Sequence, residues 1–61
     1  MKLTTRQTQV IELAMQGVPN KEIAQRLSVA YNTVRVHRVN LLRKMGAKSM
    51  AQAVAIYMEA K

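Results

Sequence analysis

Arg35, Val36 and Val39 place one basic and two apolar side chains close together in the middle of the chain. At 100° per residue on a helix, the two valines lie opposite the apolar stripe that contains Val34 and Leu41, and Arg35 flanks them. A guanidinium can donate two hydrogen bonds to the O6 and N7 atoms of guanine, and valine methyl groups suit contact with thymine methyls. The spacing therefore predicts a base-reading face. The alternatives are a solvated arginine and two scattered apolar surface residues.

Polar and basic residues around that face suit contacts with the DNA backbone. Side chains of these types donate hydrogen bonds to phosphate oxygens, which fixes the position of a protein on the duplex without reading its sequence. Two of them begin the second predicted helix, where backbone N–H groups also favour anions. Each could equally be an ordinary surface residue. The predicted backbone contacts are Asn20, Lys21, Asn32, Thr33, Asn40, Arg43 and Lys44.

The charge balance favours a polyanionic partner. Ten Lys and Arg face three acids in 61 residues, which gives a formal net charge of +7. No acid lies between Glu22 and Glu59, a stretch that contains Arg26, Arg35, Arg38, Arg43, Lys44 and Lys48. Such an excess attracts polyanions and gains free energy when their counterions are released. Double-stranded DNA is the expected partner, because a membrane-surface peptide would be one long amphipathic helix with aromatic anchors.

Residue types needed for catalysis, metal binding and membrane insertion are missing from the sequence. Cysteine and aspartate are absent and His37 is the single histidine, so we predict no catalytic pair, no metal site and no cofactor. We interpret His37 as a packed or hydrogen-bonded residue. No run approaches the ~18 apolar residues of a membrane span, and the first residues lack the apolar middle of a signal peptide. We therefore expect a cytoplasmic, non-enzymatic protein with no membrane contact and no small-molecule ligand.

Helix start and stop signals divide the chain into four helices and no strand. Thr4 and Gln7 have the spacing of a capping box, as do Ser49 and Gln52, and Asn20 is a favourable N-cap. A glycine follows the first and third helices, where a left-handed residue ends a helix. The predicted helices cover 5–16, 21–27, 31–45 and 50 to almost 61. One compact all-α domain over residues 1–61 is predicted, because this length allows a single hydrophobic core.

Apolar residues at helical spacing supply the core from every helix. They are Val10, Ile11, Ala14 and Met15, then Ile23, Ala24 and Leu27, then Val34, Leu41, Leu42 and Met45, and finally Met50, Val54 and Tyr57. Arg38 projects towards the same side, so we expect its charge to pair with Glu22 or Glu12 in a structural role. That orientation makes Arg38 a poor candidate for reading bases.

The last helix carries one large apolar residue on the side away from the core. Ile56 lies between Gln52 and Glu59 and beside Ala55. An isoleucine with small neighbours can pack against its own copy, and most soluble homo-oligomers are two-fold dimers. We predict a homodimer on DNA through these four residues. The alternative is an incidental surface isoleucine.

The second and third helices, with the three-residue turn between them, match a helix-turn-helix whose longer, basic helix enters the major groove. Further residues extend the match: Leu3-Thr4-x-Arg6, Gly17-x-x-Asn20-Lys21-Glu22-Ile23-Ala24-x-x-Leu27, Thr33-Val34-x-Val36-His37 and Leu42-x-Lys44-Met45-Gly46, followed by Ser49 and Ala53-Val54. Through these motifs the chain resembles the LuxR-type, also called GerE- or NarL-type, helix-turn-helix domain. The resemblance implies a four-helix fold with base-reading positions at Arg35, Val36 and Val39 and a C-terminal dimerisation helix.

Specific binding of double-stranded DNA by a bacterial transcription regulator is the function that these observations favour. The resemblance implies that such a domain is usually the output domain of a response regulator or of a quorum-sensing receptor. The alternative is a small basic bundle that binds other proteins without reading DNA. Helix 4 gives that alternative some support, and the basic third helix argues against it.

Overall fold

Four helices make up the regular structure of residues 2–60, the part of the chain that the computed structural model describes. They are α1 (Thr5–Met15), α2 (Asn20–Leu27), α3 (Tyr31–Met45) and α4 (Met50–Ala60). No strand occurs in these residues, so the all-α prediction is confirmed. None of the four helices is long and apolar enough to cross a membrane. The predicted end of the last helix near Lys61 lies outside the described residues, and the domain limits of 1–61 stay a prediction.

The hydrophobic core is built around α3, which contacts each of the other three helices. Its buried members are Val10, Ile11, Ile23, Ala24, Val34, Leu41 and Ala53. Ala53 was not among the predicted core residues. Most of the other predicted core residues pack against this cluster half-buried: Leu27, Leu42, Met45, Met50, Val54 and Tyr57. The helical spacing of apolar residues therefore located most of the core, whereas the predicted members Ala14 and Met15 belong neither to the buried cluster nor to the residues packed against it.

Side chains of the chain's own loops cap two helices. At α1 the Thr4 hydroxyl accepts from the Gln7 N–H at 3.1 Å, and the Gln7 side chain accepts from the Thr4 N–H at 3.0 Å, which confirms the predicted capping box. At α4 the Ser49 hydroxyl accepts from the Gln52 N–H at 3.1 Å, but the Gln52 side chain accepts from the Lys48 N–H at 2.7 Å. The second capping box is therefore only half formed, because Gln52 reaches one residue further back.

In each of the three connections between helices, a residue with left-handed backbone conformation ends the preceding helix. After α1, Val18 donates to the Leu13 carbonyl at 3.2 Å while Gly17, at φ 82°, donates to Ala14. This pair of hydrogen bonds is a Schellman motif. Gly46, at φ 66°, ends α3 in the same way. The end of α2 repeats the pattern with Ser28 at φ 57°, so a side chain occupies a conformation that usually takes glycine.

We expect Ser28→Gly to stabilise the domain by about 0.5–1 kcal/mol, because glycine removes the left-handed strain while adding some entropy to the unfolded chain. Thermal and urea unfolding measure the change. Gly46→Ala is the matched opposite variant, since a Cβ at that position meets nothing within 4 Å and only backbone strain remains. It should destabilise the domain by about 1 kcal/mol. If both variants raise or both lower the free energy of unfolding, left-handed strain at these positions is not the cause.

A hydrogen bond joins α4 to α1 at the edge of the core. The Tyr57 hydroxyl donates to Oε2 of Glu12 at 2.6 Å. This hydrogen bond, followed by burial and by the negative charge of Glu12, raises the pKa of Tyr57 above its usual value of 10.0. The phenol therefore stays protonated and keeps donating at neutral pH. Tyr57 thus combines the predicted core contact with a polar link that fixes α4 against α1.

Candidate nucleic-acid interface

The outer face of α3 carries the three residues predicted to read bases. Val36 is 55% exposed and Val39 is 48% exposed, and Arg35 is exposed beside them. Together with Asn32 and Asn40 these side chains surround a hollow of about 460 Å³. The structure therefore brings Arg35, Val36 and Val39 to one accessible surface, and their contact with DNA stays a prediction.

Burial on the inner face of α3 explains why these valines point outward. Val34 and Leu41 are fully buried in the core, and they lie on the opposite side of the helix from Val36 and Val39. Because the inner face is fixed by packing against the other helices, α3 cannot rotate to bury the outer valines. The exposed apolar surface is a consequence of the fold.

The residues predicted to contact the DNA backbone differ in their exposure. Lys21, at the start of α2, is exposed, whereas Thr33 is half-buried in the first turn of α3. No side chain caps the beginning of either helix, so their first N–H groups are available to an anion. The remaining exposed members of the set are Asn32, Asn40, Arg43 and Lys44.

Asn20, which was predicted to cap the start of the second helix, instead forms a hydrogen bond with α3. The helix α2 includes Asn20 and its N-cap is Pro19, which has no side-chain capping bond. The Asn20 side chain instead accepts a hydrogen bond from Nη1 of Arg38 on α3, at 2.5 Å. The predicted cap is therefore wrong, because helix packing offers this amide a guanidinium from the neighbouring helix.

The predicted ion pairs of Arg38 are also wrong. Glu22 forms a salt bridge with Arg26 at 2.5 Å, one turn along α2, and Glu12 accepts from Tyr57. Both carboxylates have nearer partners on or beside their own helices. Arg38 is half-buried, as predicted, but it contacts a neutral amide instead of an acid.

Few carboxylates offset the positive charge of this surface. Within residues 2–60 the Arg26–Glu22 pair is the one salt bridge, and it lies on an exposed face of α2. The basic residues of α3 therefore have no carboxylate within 4 Å in that part of the chain. Arg43 and Lys44 also lie in the last turn of α3, where the helix dipole favours cations.

His37 is half-buried on α3. The described residues contain no group of three or more His, Cys, Asp or Glu side chains that could hold a metal ion. Burial on the side of the helix is compatible with the predicted packing role for His37.

The predicted dimer surface on α4 is partly accessible. Gln52, Ala55 and Glu59 are exposed, whereas Ile56 is half-buried. Ile56 does not belong to the half-buried apolar residues that pack against the core within residues 2–60. Part of the Ile56 side chain is therefore accessible, and the residue is not part of the core.

Two further residues of α3 were given no DNA contact in the sequence-based prediction. Tyr31, the first residue of α3, is 50% exposed. Arg38 lines a second hollow together with Arg35 and Val39. Residues 35, 38, 39 and 42 lie on one face of a helix. The sequence therefore did contain a signal that Arg38 lies beside Arg35 and Val39.

Comparison with known proteins gives a match over nearly the whole chain. The family described as bacterial regulatory proteins, luxR family, matches residues 1–57. The spore germination protein GerE of Bacillus subtilis is 44% identical over 52 residues, which cover 85% of this chain and 70% of GerE.

Longer regulators are similar over the same extent of this chain. The nitrate/nitrite response regulator protein NarL of Escherichia coli is 44% identical over 52 residues, which cover 85% of this chain and 24% of NarL. The transcriptional regulatory protein FixJ of Rhizobium meliloti is also 44% identical over 52 residues, which cover 85% of this chain and 26% of FixJ. The chain thus spans about a quarter of the length of these two relatives.

Proposed function

Since the chain belongs to the luxR family of bacterial regulatory proteins, we propose that it is the DNA-binding domain of a transcription regulator and that it reads a specific sequence in duplex DNA. The observation that carries this proposal is the joint exposure of Arg35, Val36 and Val39 on the second helix of a helix-turn-helix. Their charge and shape match the edges of bases in the major groove.

Base reading and positioning are divided between two sets of residues in this proposal. Arg35 donates to O6 and N7 of a guanine, while Val36 and Val39 contact thymine methyl groups. Contacts with phosphates hold α3 at the correct depth and register. The positioning set is Asn20, Lys21, Asn32, Thr33, Asn40, Arg43 and Lys44.

The longer relatives suggest where such a domain acts. NarL is named a response regulator, and the present chain matches about a quarter of it. We propose that this chain is the DNA-binding output part of a response regulator or of a quorum-sensing receptor that acts in the cytoplasm. In either case the signal is received outside these residues, which carry the DNA contact and no catalytic step.

Binding to duplex DNA should weaken steeply with salt. Three cationic phosphate contacts, Lys21, Arg43 and Lys44, predict a slope of about −2.7 for log K against log salt, since each neutralised phosphate contributes about −0.9. Fluorescence anisotropy with a labelled duplex, across a series of salt concentrations, measures this slope. Salt-independent binding would contradict the electrostatic part of the proposal.

Lys21→Ala is the matched test of the positioning role. It should flatten the slope by about one unit and weaken preferred and random duplexes equally, because a phosphate contact carries no sequence information. A loss confined to the preferred duplex would assign Lys21 to base reading instead.

A dimer through α4 completes the proposed mode of binding. Two copies joined at Ile56, with Gln52, Ala55 and Glu59 around it, would place two α3 helices roughly 34–36 Å apart, about one turn of DNA. The contact is small, so it should be weak in free solution and form on DNA, where both copies are held at high effective concentration.

Ile56→Arg should abolish cooperative binding to a repeated site while it changes the free energy of unfolding by no more than about 1 kcal/mol, as expected for a side chain outside the core. Mobility-shift titrations on one-site and two-site duplexes measure the cooperativity. Met58→Arg is the control, since Met58 is exposed and lies about 160° around the helix from Ile56. Cooperativity that survives in a folded Ile56→Arg protein would place the dimer contact elsewhere.

A further inference from the structure

Arg38 lies at the boundary between the core and the reading face of α3. It follows Arg35 by one helical turn on the same ridge, and its guanidinium extends towards the start of α2, where Nη1 donates to the Asn20 side chain at 2.5 Å. Arg38 is half-buried, and its hydrogen bond to Asn20 holds its charged end against α2.

The charge of Arg38 is not balanced by any carboxylate of residues 2–60 within 4 Å. A guanidinium has five N–H donors, and Asn20 accepts from one of its nitrogens. No buried side-chain nitrogen or oxygen in the described residues lacks a hydrogen bond, so the remaining donors of Arg38 must reach solvent. A half-buried cation with unused donors and no acid beside it is a binding position for an external anion.

Arg38 lines two hollows, one against α1 and α4 and one beside the residues predicted to read bases. The second hollow has a volume of about 220 Å³ and is lined by Asn20, Arg35, Arg38, Val39, Leu42 and Met50. Two of these residues, Arg35 and Val39, belong to the base-reading set, whereas Asn20 begins α2. An anion in this hollow would therefore lie at the edge of the groove into which α3 inserts.

We propose that Arg38 binds a phosphate of the DNA backbone in this hollow, with Asn20 orienting the guanidinium. This assignment rests on the proposed function, and it gives Arg38 a direct contact with the ligand. A phosphate fits better than a base edge for two reasons. The planar fork of arginine matches two phosphate oxygens, and the bond to Asn20 holds the fork at the start of α2, away from the centre of the exposed face.

The test compares the parent with Arg38→Met, which keeps the apolar stem and removes the charge and the donors. Anisotropy titrations use one preferred duplex, selected from random DNA, and one random duplex, each across a salt series. We expect Arg38→Met to bind both duplexes roughly tenfold more weakly at low salt and to flatten the log–log slope by about 0.9. Arg26→Met is the matched control, because it removes the same charge from α2 where Glu22 already pairs with it; its slope should stay close to that of the parent.

Arg38→Gln keeps a hydrogen-bond donor for Asn20 and removes the charge, so we expect it to flatten the log–log salt slope by the same amount, about 0.9. It replaces Arg38→Met as the test variant if Arg38→Met fails to fold. An unchanged slope in folded Arg38→Gln would overturn the assignment, because it would show that Arg38 neutralises no phosphate. A loss confined to the preferred duplex would also overturn it, in favour of base reading. Both results leave DNA binding by the parent intact, whereas a parent that shows no salt-dependent binding would overturn the proposed function itself.

Discussion

Val34→Ala is expected to destabilise the domain by about 2–3 kcal/mol, because the substitution removes two fully buried methyl groups and leaves a cavity that the core cannot close completely. Val34 is 0% exposed. A domain of 61 residues has a free energy of unfolding of roughly 3–9 kcal/mol, so this loss is a large part of the total. Urea unfolding followed by circular dichroism measures it.

Val36→Ala is the control for that experiment, since it makes the same chemical change two residues along the same helix. Val36 is 55% exposed, so its free energy of unfolding should stay within about 0.5 kcal/mol of the parent. Its affinity for a preferred duplex should instead fall by about 1 kcal/mol, through the lost contact with a thymine methyl. Similar losses of stability for the two variants would contradict the division of α3 into a core face and a reading face.

Arg35→Ala is expected to weaken binding to the preferred duplex by about 1–3 kcal/mol, or about fivefold to 150-fold, because the bidentate contact with guanine is lost. Binding to random DNA should change much less, so the ratio of the two affinities should fall. Competition titrations with labelled preferred duplex and unlabelled random duplex measure this ratio.

A selection from random duplexes identifies the base that Arg35 reads. The parent should enrich a guanine at one position, and Arg35→Ala should lose the preference at that position alone. Lys21→Ala is the comparison, since it should keep the whole preferred sequence. If the two variants weaken all duplexes to the same degree, Arg35 is a phosphate contact and the reading set is wrong.

The helices and the core could be predicted because their signals are local. Thr4 and Gln7 start α1 through bonds within one turn, and Gly17 and Gly46 supply the left-handed residues that end α1 and α3. The left-handed Ser28 could not be read in the same way, since serine is common in turns of many conformations.

The partners of polar side chains between helices could not be predicted. Arg38 was expected to pair with an acid, yet it donates to Asn20, because the angle between α2 and α3 decides which groups meet. Glu22 and Glu12 were available in the sequence, but Arg26 and Tyr57 lie closer to them in the fold. Helical periodicity gives the side on which a residue lies, and it does not give the neighbour across the interface.

The candidate site divides in a similar way. Exposure of Arg35, Val36 and Val39 followed from the periodicity of α3, because the buried stripe fixes the opposite face. Their contact with bases remains a prediction, as does the dimer at Ile56. The hollow beside Arg38 depends on side chains from α2, α3 and α4 together, so only the three-dimensional structure could place it.

The three short helix connections also determine how rapidly this domain can form. Each of the segments 16–19, 28–30 and 46–49 joins two neighbouring helices, and each begins with hydrogen bonds between residues three and five positions apart. The chain therefore closes only small loops before its helices can pack, and the entropy of loop closure stays low. Helical domains with such local connections fold in about microseconds to milliseconds. A copy that unfolds would thus recover its native structure faster than ribosomes add a single residue, at about 5–20 residues per second.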